Sequence, residues 1–571
     1  MIVKNPWVGY LNRSYAAIKA SVLARLKIAA PEVTDYSESN ILIVIIGIFA
    51  GIGELLNYYI DSMAREGFLE TAKKLISVHK IVRLINYRIR SSISSTVDLT
   101  FTSLGTDNLP QVVALGETIT IPRDTQVTDS QGKSFLTTRV GYITEGLSAV
   151  SIPARQQSIV SLYSLATASG SADLAYNLPK EYDDRTLYVE VGGESWTLVE
   201  NFGFSSPSAK HVTVEVDYTG QPYLLFGDGV NGAIPTAGAL IRISFRTTLG
   251  LKGNLSARTL TTLVSNITIP SQNPIITKID VVNINSSVGG VDVEGIERIR
   301  KSAPLSLRTL NRAVTRQDYI DVAKLAPSVD KADVKFSCGK QVTIYVSPIG
   351  GGIASNQMLA DTQTFVEDRG IIGLPVEAKA AGETFIGAKI NATAKFRINT
   401  NLAKKDIQNI LVDGFSSEKS DINKPIRTSD IISLIDNLEK VDFLELVTIF
   451  AIPYARPVGH NRELIWERSL GEGCTQVLSW KIVWNGSNFV LYKGDAQIQT
   501  LLTNTSYTYL NILTVKILGI PAGIQSGDRW EFKTYPINKD ILLDDYTMPR
   551  VSPDLSYITL TVKEQSFNGI L

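Results

Sequence analysis

Two pairs of adjacent carboxylates are the residues best suited by type to acid–base chemistry. Asp183-Asp184 and Asp544-Asp545 offer the acid and the base that a glycosidase needs. That mechanism requires both carboxyl groups to converge on one bond, whereas adjacent residues of an extended chain point to opposite faces. Neither pair therefore predicts a glycosidase site.

The cysteines and histidines predict neither a nucleophile nor a metal site. The chain contains Cys338, Cys474, His79, His211 and His460. No motif links a histidine to Cys338, as nucleophilic catalysis requires. His79 falls on an apolar helical stripe without a second ligand beside it, so a packed side chain is expected. Two cysteines are too few for a disulfide framework, which favours a reducing compartment.

Glycine-rich turns offer the remaining candidates for ligand binding. Gly350-Gly351-Gly352 lacks the lysine and the helix-opening spacing of a phosphate loop. Asp228-Gly229-Val230-Asn231-Gly232 carries oxygen ligands but no acidic residue where a calcium loop closes, so a hairpin turn is favoured. We predict no catalytic, cofactor-binding or metal-binding residue, and no enzyme.

Length and charge predict a multidomain protein without a nucleic-acid partner. The chain has 571 residues, more than the roughly 100–200 of one domain. Its 56 Lys+Arg balance 56 Asp+Glu and form no block of like charge. A nucleic-acid partner would require clustered Lys and Arg on one face.

Two helices are predicted between two β regions. Gly289-Gly290 release a strand into a turn, and Asp292 and Glu294 place negative charge where a helix begins. Thr315 is spaced to cap a second helix with Asp318. The apolar face of that helix before Pro327 comprises Tyr319, Val322, Ala323 and Ala326. Taken alone, these residues predict a connector that packs two regions together.

The order of these residues resembles the central segment of the baseplate J-like family, the wedge proteins of contractile phage tails and related injection machines. A glycine-rich turn upstream and a closing helix downstream extend the resemblance over roughly 35–449, in family order, although each motif alone consists of common turn and cap residues. The residues that carry it are Phe226, Gly227, Asp228, Gly229, Gly253, Asn254, Gly289, Gly290, Asp292, Glu294, Arg298, Arg312, Ala313, Val314, Thr315, Asp318, Tyr319, Ser429, Asp430, Ile431 and Ile432.

The resemblance implies a structural wedge subunit of a contractile-tail baseplate. Two copies would clasp each other in every wedge, and wedges would join into a ring that transmits the trigger for sheath contraction. Implied partners are other wedge, sheath-proximal, hub and tail-fibre proteins, with no nucleic acid and no membrane. Implied localisation is the tail baseplate of a virion assembled in the bacterial cytoplasm. A receptor-binding or fibre-attachment protein, and a baseplate subunit of a tailocin or secretion system, remain open.

The predicted fold class is α+β multidomain, with an N-terminal helical region, β domains with a nested insertion, small α/β sandwich domains and a C-terminal β-rich domain. The predicted segments are a helical wedge-core region at 1–98, a β domain at 99–164 and 236–288, an inserted β domain at 165–235, connector helices at 289–328, an α/β domain at 329–388, an α/β dimerisation or ring domain at 389–455 and a C-terminal domain at 456–571.

Several finer expectations follow from local patterns. The apolar run 41–53 is about thirteen residues, short of the roughly twenty that span a membrane, so a buried helix is predicted. The strand at 240–246 should return to the first β domain, and His211 should face solvent. Glycines 289–290 and 350–352 are expected to act as hinges. The C-terminal aromatic residues either fill a core or make surface contacts: Trp480, Trp484, Tyr492 and Trp530.

Overall fold

The computed structural model describes residues 14–564, except 86, 185, 270–275, 338–340, 396, 418, 453–455, 459–465, 471–476, 511, 519–525, 535–546 and 552–557. Cys338, Cys474, His460 and the pair Asp544-Asp545 lie outside the described residues. The chain forms two compact units, of which unit 1 comprises Met1–Ser92, Ile159–Thr247 and Asp292–Leu310, and unit 2 comprises Ile93–Ser158, Thr248–Val291 and Asn311–Leu571.

The described chain combines an N-terminal group of three helices, several β-sheets and further helices between the sheets, which confirms the predicted α+β multidomain class. The helices are α1 (Tyr15–Ala29), α2 (Ile41–Glu66), α3 (Leu75–Leu84), α4 (Ile296–Thr309), α5 (Arg316–Leu325), α6 (Asn356–Glu367), α7 (Thr400–Gly414) and α8 (Thr428–Asp436).

The first half of the chain supplies the strands β1 (Thr96–Gly105), β2 (Thr118–Ile121), β3 (Gln126–Thr128), β4 (Ser134–Thr137), β5 (Gly141–Thr144), β6 (Ala149–Gln156), β7 (Ser158–Thr167), β8 (Ala175–Asn177), β9 (Tyr188–Val191), β10 (Glu194–Leu198), β11 (His211–Val216), β12 (Pro222–Phe226), β13 (Leu240–Thr247), β14 (Thr262–Leu263) and β15 (Ile276–Asn283).

The second half supplies the strands β16 (Val329–Ser337), β17 (Gln341–Pro348), β18 (Val376–Ala380), β19 (Gly382–Ala394), β20 (Val441–Ile452), β21 (Arg456–Val458), β22 (Trp466–Leu470), β23 (Leu478–Trp484), β24 (Phe489–Lys493), β25 (Ala496–Leu501), β26 (Ser506–Tyr509), β27 (Leu513–Ile517), β28 (Arg529–Thr534), β29 (Thr547–Val551) and β30 (Ile558–Glu564).

The N-terminal helices of unit 1 begin at polar caps. The Ser14 side chain accepts a hydrogen bond from Ala17 N–H at the start of α1, and the Asn40 side chain accepts one from Leu42 N–H at the start of α2. The apolar helical stripe predicted around His79 lies in α3, which begins at Leu75 and ends at Leu84. His79 is half-buried, and its Nε2 lies 2.6 Å from the Val216 carbonyl oxygen.

Unit 1 also contains a seven-stranded sheet in the order β7-β13-β9-β10-β11-β12-β8. The expectation that 240–246 returns to the first β domain is wrong, since β13 pairs with β9. The reason is packing, because Ile241 and Ile243 fill the same core as Val189 and Val191. His211 is half-buried, not solvent-facing, because its Nδ1 lies 2.8 Å from the Ser205 hydroxyl oxygen.

Unit 2 is built from several sheets. A six-stranded sheet has the order β14-β3-β4-β6-β1-β15, and β2 pairs with β5. The sheet β16-β17-β18 follows, in which β17 and β18 are parallel. Next, β19 pairs with β20, and helices α7 and α8 pack on the shared apolar core. Apart from the placement of 240–246 and of the C-terminal strands, the domain limits given above stay predictions.

The C-terminal region differs from the separate domain that we expected. Strands β29 and β30 both pair in parallel with β19, so the last described strands complete the sheet of β19 and β20. Along the chain, strands β21 to β28 lie between β20 and β29. They form two sheets, in the orders β21-β28-β23-β24-β25 and β22-β27-β26. Trp480, Trp484 and Trp530 are buried in the core of this region, so the surface-contact alternative is wrong for them. Tyr492 is half-buried.

Candidate functional site

Two segments of the sequence resemblance meet in a buried polar cluster of unit 2. The Asn254 Nδ2 donates to the Gly290 carbonyl oxygen at 2.9 Å, and Gly290 N–H donates to Asn254 Oδ1 at 2.9 Å. The Ser95 and Ser287 hydroxyls both donate to the Gly253 carbonyl oxygen, at 2.6 and 2.9 Å. These bonds fix the turn after β13 against the segment that follows β15.

Close packing explains why glycine occupies positions 289 and 290. A Cβ atom on Gly290 would lie 2.5 Å from the Gly250 carbonyl oxygen and 2.8 Å from Asn254 Oδ1. Gly289 has φ +80°, and a Cβ there would lie 2.8 Å from the Ser328 Cβ. Both glycines are buried, so a larger residue at either position would collide with its neighbours. The expected hinge stays a prediction.

The backbone conformation at 350–352 favours glycine at each of the three positions. All three have positive φ, which L side chains rarely adopt. A Cβ on Gly351 would overlap the guanidinium of Arg550. Because Arg550 lies in β29, Gly351 lets the last strands pack against the loop after β17. The expected flexible connector stays a prediction.

Glu294 anchors the start of α4 in unit 1. Its side chain is buried, with only 4% of the residue exposed. The Tyr87 hydroxyl donates to Glu294 Oε1 at 2.7 Å, and Arg298 Nε lies 3.8 Å from the same oxygen. Burial and the charge of Glu294 raise the pKa of Tyr87, so the phenol stays protonated and keeps donating. Asp292 is exposed.

The predicted capping box of α5 is confirmed. Asp318 N–H donates to the Thr315 hydroxyl at 3.2 Å, and Thr315 N–H donates to Asp318 Oδ2 at 2.9 Å. Tyr319 is buried, and its hydroxyl accepts from Ile371 N–H at 3.2 Å. Ala313 is buried, whereas Arg312 and Val314 are exposed.

The turn at 227–232 is closed by a side chain. Asp228 Oδ1 accepts from Val230 N–H at 2.8 Å and from Asn231 N–H at 2.6 Å. These N–H groups lower the pKa of Asp228. The turn does not join a hairpin as predicted, because β12 pairs with β11 and β8 whereas β13 pairs with β9. Phe226 is buried at the end of β12, and Gly227 lies so close to Gly232 that a Cβ would meet its backbone at 2.4 Å.

In the closing helix α8, two neighbouring isoleucines differ in their exposure to solvent. Ile431 is 1% exposed, whereas Ile432 is 37% exposed. Ile431 and Ile435 form the packed face of this helix, and Ile432 lies outside that face. Ser429 and Asp430 lie exposed in the first turn of the helix.

The acidic residues considered for chemistry have structural partners. Asp184 Oδ1 accepts from Arg88 Nη2 at 2.8 Å and from the Ser91 hydroxyl at 3.1 Å. Asp183 is buried, and its N–H donates to the Arg246 carbonyl oxygen at 2.9 Å. Within the described part of the chain, no group of three or more His, Cys, Asp or Glu residues is arranged to hold a metal ion.

One side of α2 exposes many large apolar side chains, although the sequence predicted a buried helix here. Only Ile43, Ile46 and Ala50 of α2 are buried. We define the α2 surface as its exposed large apolar side chains on the opposite side: Ile41, Val44, Ile45, Ile48, Phe49, Ile52, Leu55, Leu56, Tyr59, Ile60 and Met63. Such a surface marks an interaction site.

The length argument against a membrane span is also wrong for α2. The helix continues past Glu54 to Glu66, and residues 55–60 are apolar except for Asn57. Among the described residues, α2 is the one helix long and apolar enough to cross a membrane, and 17% of its most apolar stretch is buried. Length and composition alone are weak support for a span.

A comparison with known protein families finds a match in the segment that contains α2. Residues 14–84 match the family described as bacteriophage baseplate protein, N-terminal domain. The match begins at the cap of α1 and ends with α3. It supports a structural component of a phage-type baseplate.

Two further comparisons add no detail. No curated protein matches the chain. The chain is similar to a solved structure described as the anti-feeding prophage baseplate, 6-fold symmetrised, at 12% identity and a TM-score of 0.26, with 75% of this chain and 86% of that chain covered.

Proposed function

We propose that this chain is a non-enzymatic wedge subunit that builds the ring of a contractile-tail baseplate and transmits the trigger for sheath contraction. The α2 surface is the observation that carries the proposal, because it lies within the segment that matches a baseplate domain. Its partners would be second copies of the chain and other wedge, sheath-proximal, hub and fibre proteins. Its location would be the tail baseplate, assembled in the bacterial cytoplasm.

The α2 surface needs a partner for energetic reasons. Each buried large apolar side chain contributes about 1.5–3 kcal/mol, and the α2 surface presents many of them along one helix. The neighbouring α1 covers only the opposite side, where Gly53 is close enough to Ile18 that a Cβ would lie 3.3 Å from its Cδ1. A helix of another subunit, packed ridge into groove, would cover the remaining side.

A protein partner explains α2 better than a lipid bilayer does. Glu54 lies exposed near the middle of the helix, where a hydrocarbon environment would penalise its charge. On α1, the helix that packs on α2, Lys19 forms an ion pair with Glu38 at 3.0 Å. Both features suit a helical bundle in water.

A matched pair of substitutions tests the proposal. Ile48 is 59% exposed on the α2 surface, and Ile372 is 101% exposed on a loop of unit 2. In a host that lacks the wild-type chain, we expect Ile48→Asp to fold but to give no complete baseplate rings by electron microscopy. The control Ile372→Asp should assemble normally. Complete rings containing the Ile48→Asp chain would contradict the proposal.

A flotation assay distinguishes a protein-binding α2 surface from a membrane-inserting helix. The purified chain is mixed with vesicles of phosphatidylethanolamine and phosphatidylglycerol and centrifuged through a density gradient. The proposal predicts that the wild-type chain stays at the bottom. Flotation that Ile48→Asp abolishes would favour a membrane-inserting helix instead.

A further inference from the structure

The loop between β23 and β24 contains an asparagine followed by a glycine, a pair that can close into a cyclic imide. The loop comprises Asn485, Gly486, Ser487 and Asn488, and Asn485 and Gly486 are both exposed. Closure requires the Gly486 backbone nitrogen to attack the side-chain carbonyl carbon of Asn485. Glycine leaves that nitrogen accessible because it has no side chain.

The backbone of this loop holds the oxygen on which charge would develop. Asn485 Oδ1 accepts from Ser487 N–H at 3.0 Å and from Asn488 N–H at 2.8 Å. Attack on the side-chain carbonyl carbon places negative charge on this oxygen, and two fixed N–H donors stabilise such an oxyanion. The same bonds turn the side chain towards the residues that follow it, where the attacking nitrogen lies.

The attacking nitrogen of Gly486 is not engaged elsewhere. Among the residues that the structure describes, none accepts a hydrogen bond from Gly486 N–H. An N–H that donated to a carbonyl oxygen would have to break that bond before it attacked, which would raise the barrier. The nucleophile and the carbonyl group of Asn485 are therefore both prepared for the reaction.

A second asparagine–glycine pair, Asn231-Gly232, lacks this preparation. Gly232 is buried, and its N–H donates to the Ser206 carbonyl oxygen at 3.2 Å. The Asn231 side chain forms a hydrogen bond with the carboxylate of Asp228. Attack by the Gly232 nitrogen would break both interactions, so the fold protects Asn231.

Asp228 shares the geometry of Asn485 but differs in chemistry. Its Oδ1 accepts from the N–H groups two and three residues later, those of Val230 and Asn231. These donors lower the pKa of Asp228, and the resulting carboxylate resists nucleophilic attack. The following N–H, of Gly229, donates to the Gly232 carbonyl oxygen at 3.0 Å. The described chain thus combines an amide, two oxyanion donors and an open glycine N–H at Asn485.

We propose that Asn485 is a site of spontaneous deamidation in the folded chain. The Gly486 nitrogen forms a bond to Asn485 Cγ and loses its proton, the bond between Cγ and Nδ2 breaks, and ammonia leaves. Water then adds to one of the two carbonyl groups of the imide, which gives aspartate or isoaspartate at position 485. Water is the only co-reactant, and it reaches the site because the loop is exposed.

The modification would alter a loop that closes a buried hairpin. Trp484 and Phe489 flank the loop, are both buried, and have ring centroids 4.7 Å apart. Either product adds a negative charge, and isoaspartate also lengthens the main chain by one carbon. The longer chain disturbs the hydrogen bond from Asn485 N–H to the Asn488 carbonyl oxygen at 3.1 Å. We expect the modified chain to melt at a lower temperature than the unmodified chain.

Peptide mass spectrometry on the purified full-length chain tests the proposal. The chain is incubated at pH 8, folded and in parallel unfolded in urea, and aspartate and isoaspartate at positions 485 and 231 are quantified over time. At 485 we expect deamidation in the folded chain to be at least as fast as in urea. At 231 we expect it to be about tenfold slower in the folded chain than in urea. Slower deamidation at 485 on folding, or equal rates at 485 and 231 in the folded chain, would overturn the proposal.

Two substitutions at Ser487 test the oxyanion donors. Ser487→Pro removes one donor N–H and should slow deamidation at Asn485 by about tenfold or more. Ser487→Ala keeps that N–H and should leave the rate unchanged. Circular dichroism checks that both variants fold, and an unchanged rate in a folded Ser487→Pro chain would also overturn the proposal. If Ser487→Pro does not fold, the comparison of the folded and urea-unfolded wild-type chain still decides the outcome.

Discussion

The side-chain amide of Asn254 forms two hydrogen bonds with the backbone of Gly290, one as donor and one as acceptor, each 2.9 Å long. The two residues are far apart in sequence, and each belongs to a different motif of the family resemblance. Their contact shows that these motifs form one packed cluster, whose polar groups satisfy one another away from water.

Replacing Gly290 should destabilise unit 2. In Gly290→Ala the added Cβ meets the Gly250 carbonyl oxygen and Asn254 Oδ1, so we expect a loss of about 3 kcal/mol in the free energy of unfolding. Gly295→Ser is the control, because a Cβ at Gly295 meets nothing within 4 Å and serine suits the N-cap of α4. Denaturant unfolding measures both variants, and equal stability would contradict the packing role.

Removing the Tyr87 hydroxyl should weaken the anchor of α4. Tyr87→Phe leaves the buried Glu294 without its 2.7 Å donor, so we expect a cost of about 2 kcal/mol. Tyr223→Phe is the matched control, because Tyr223 donates to Glu215, which is more exposed than Glu294. Its cost should be smaller. Hydrogen exchange of the α4 amides checks the result, and equal protection in both variants would argue against the anchor.

Asp98 should make unit 2 less stable as the pH rises. Burial raises the pKa of Asp98 above 3.8, although Asn356 N–H donates to its Oδ2 at 3.1 Å. The folded chain therefore binds this proton more tightly than the unfolded chain. Its contribution is fully present below pH 3.8 and is lost as the pH rises through the raised value.

We accordingly expect Asp98→Asn to raise the melting temperature at pH 7 more than at pH 4, since the amide oxygen can still accept from Asn356. Asp228→Asn is the control, because backbone N–H groups lower the pKa of Asp228 and its replacement should bring no such gain. Differential scanning calorimetry at the two pH values measures both. A gain for Asp98→Asn that is independent of pH would refute the titration argument.

Neighbouring isoleucines in α8 should behave differently. Ile431→Ala removes a buried side chain and should cost about 3 kcal/mol. Ile432→Ala changes an exposed position and should cost less than about 1 kcal/mol. Thermal unfolding of the two variants decides the assignment, and similar losses would mean that Ile432 is packed.

Local patterns were predictable from the sequence, whereas contacts between distant segments were not. The capping box of Thr315 and Asp318 depends on spacing within one turn, and the alternation of Val212, Val214 and Val216 depends on one strand. The pairing of β13 with β9 and of β29 with β19 depends on which apolar faces meet, and such pairings have no signature in a single segment.

The site was only partly predictable for the same reason. Gly289 and Gly290 signal a special backbone position, but sequence cannot tell whether glycine provides freedom or room for a neighbour. The apolar run in α2 indicates that the helix is buried. It does not indicate whether the residues that bury it belong to this chain or to another chain.

The position of the chain in an intact particle tests the central claim most directly. A peptide tag inserted beside the exposed Ile372 is labelled with gold-conjugated antibody, and particles are imaged by electron microscopy. The proposed function predicts label on the baseplate ring, and no complete ring in lysates that lack the chain. Label elsewhere on the particle, or complete rings formed without the chain, would contradict it.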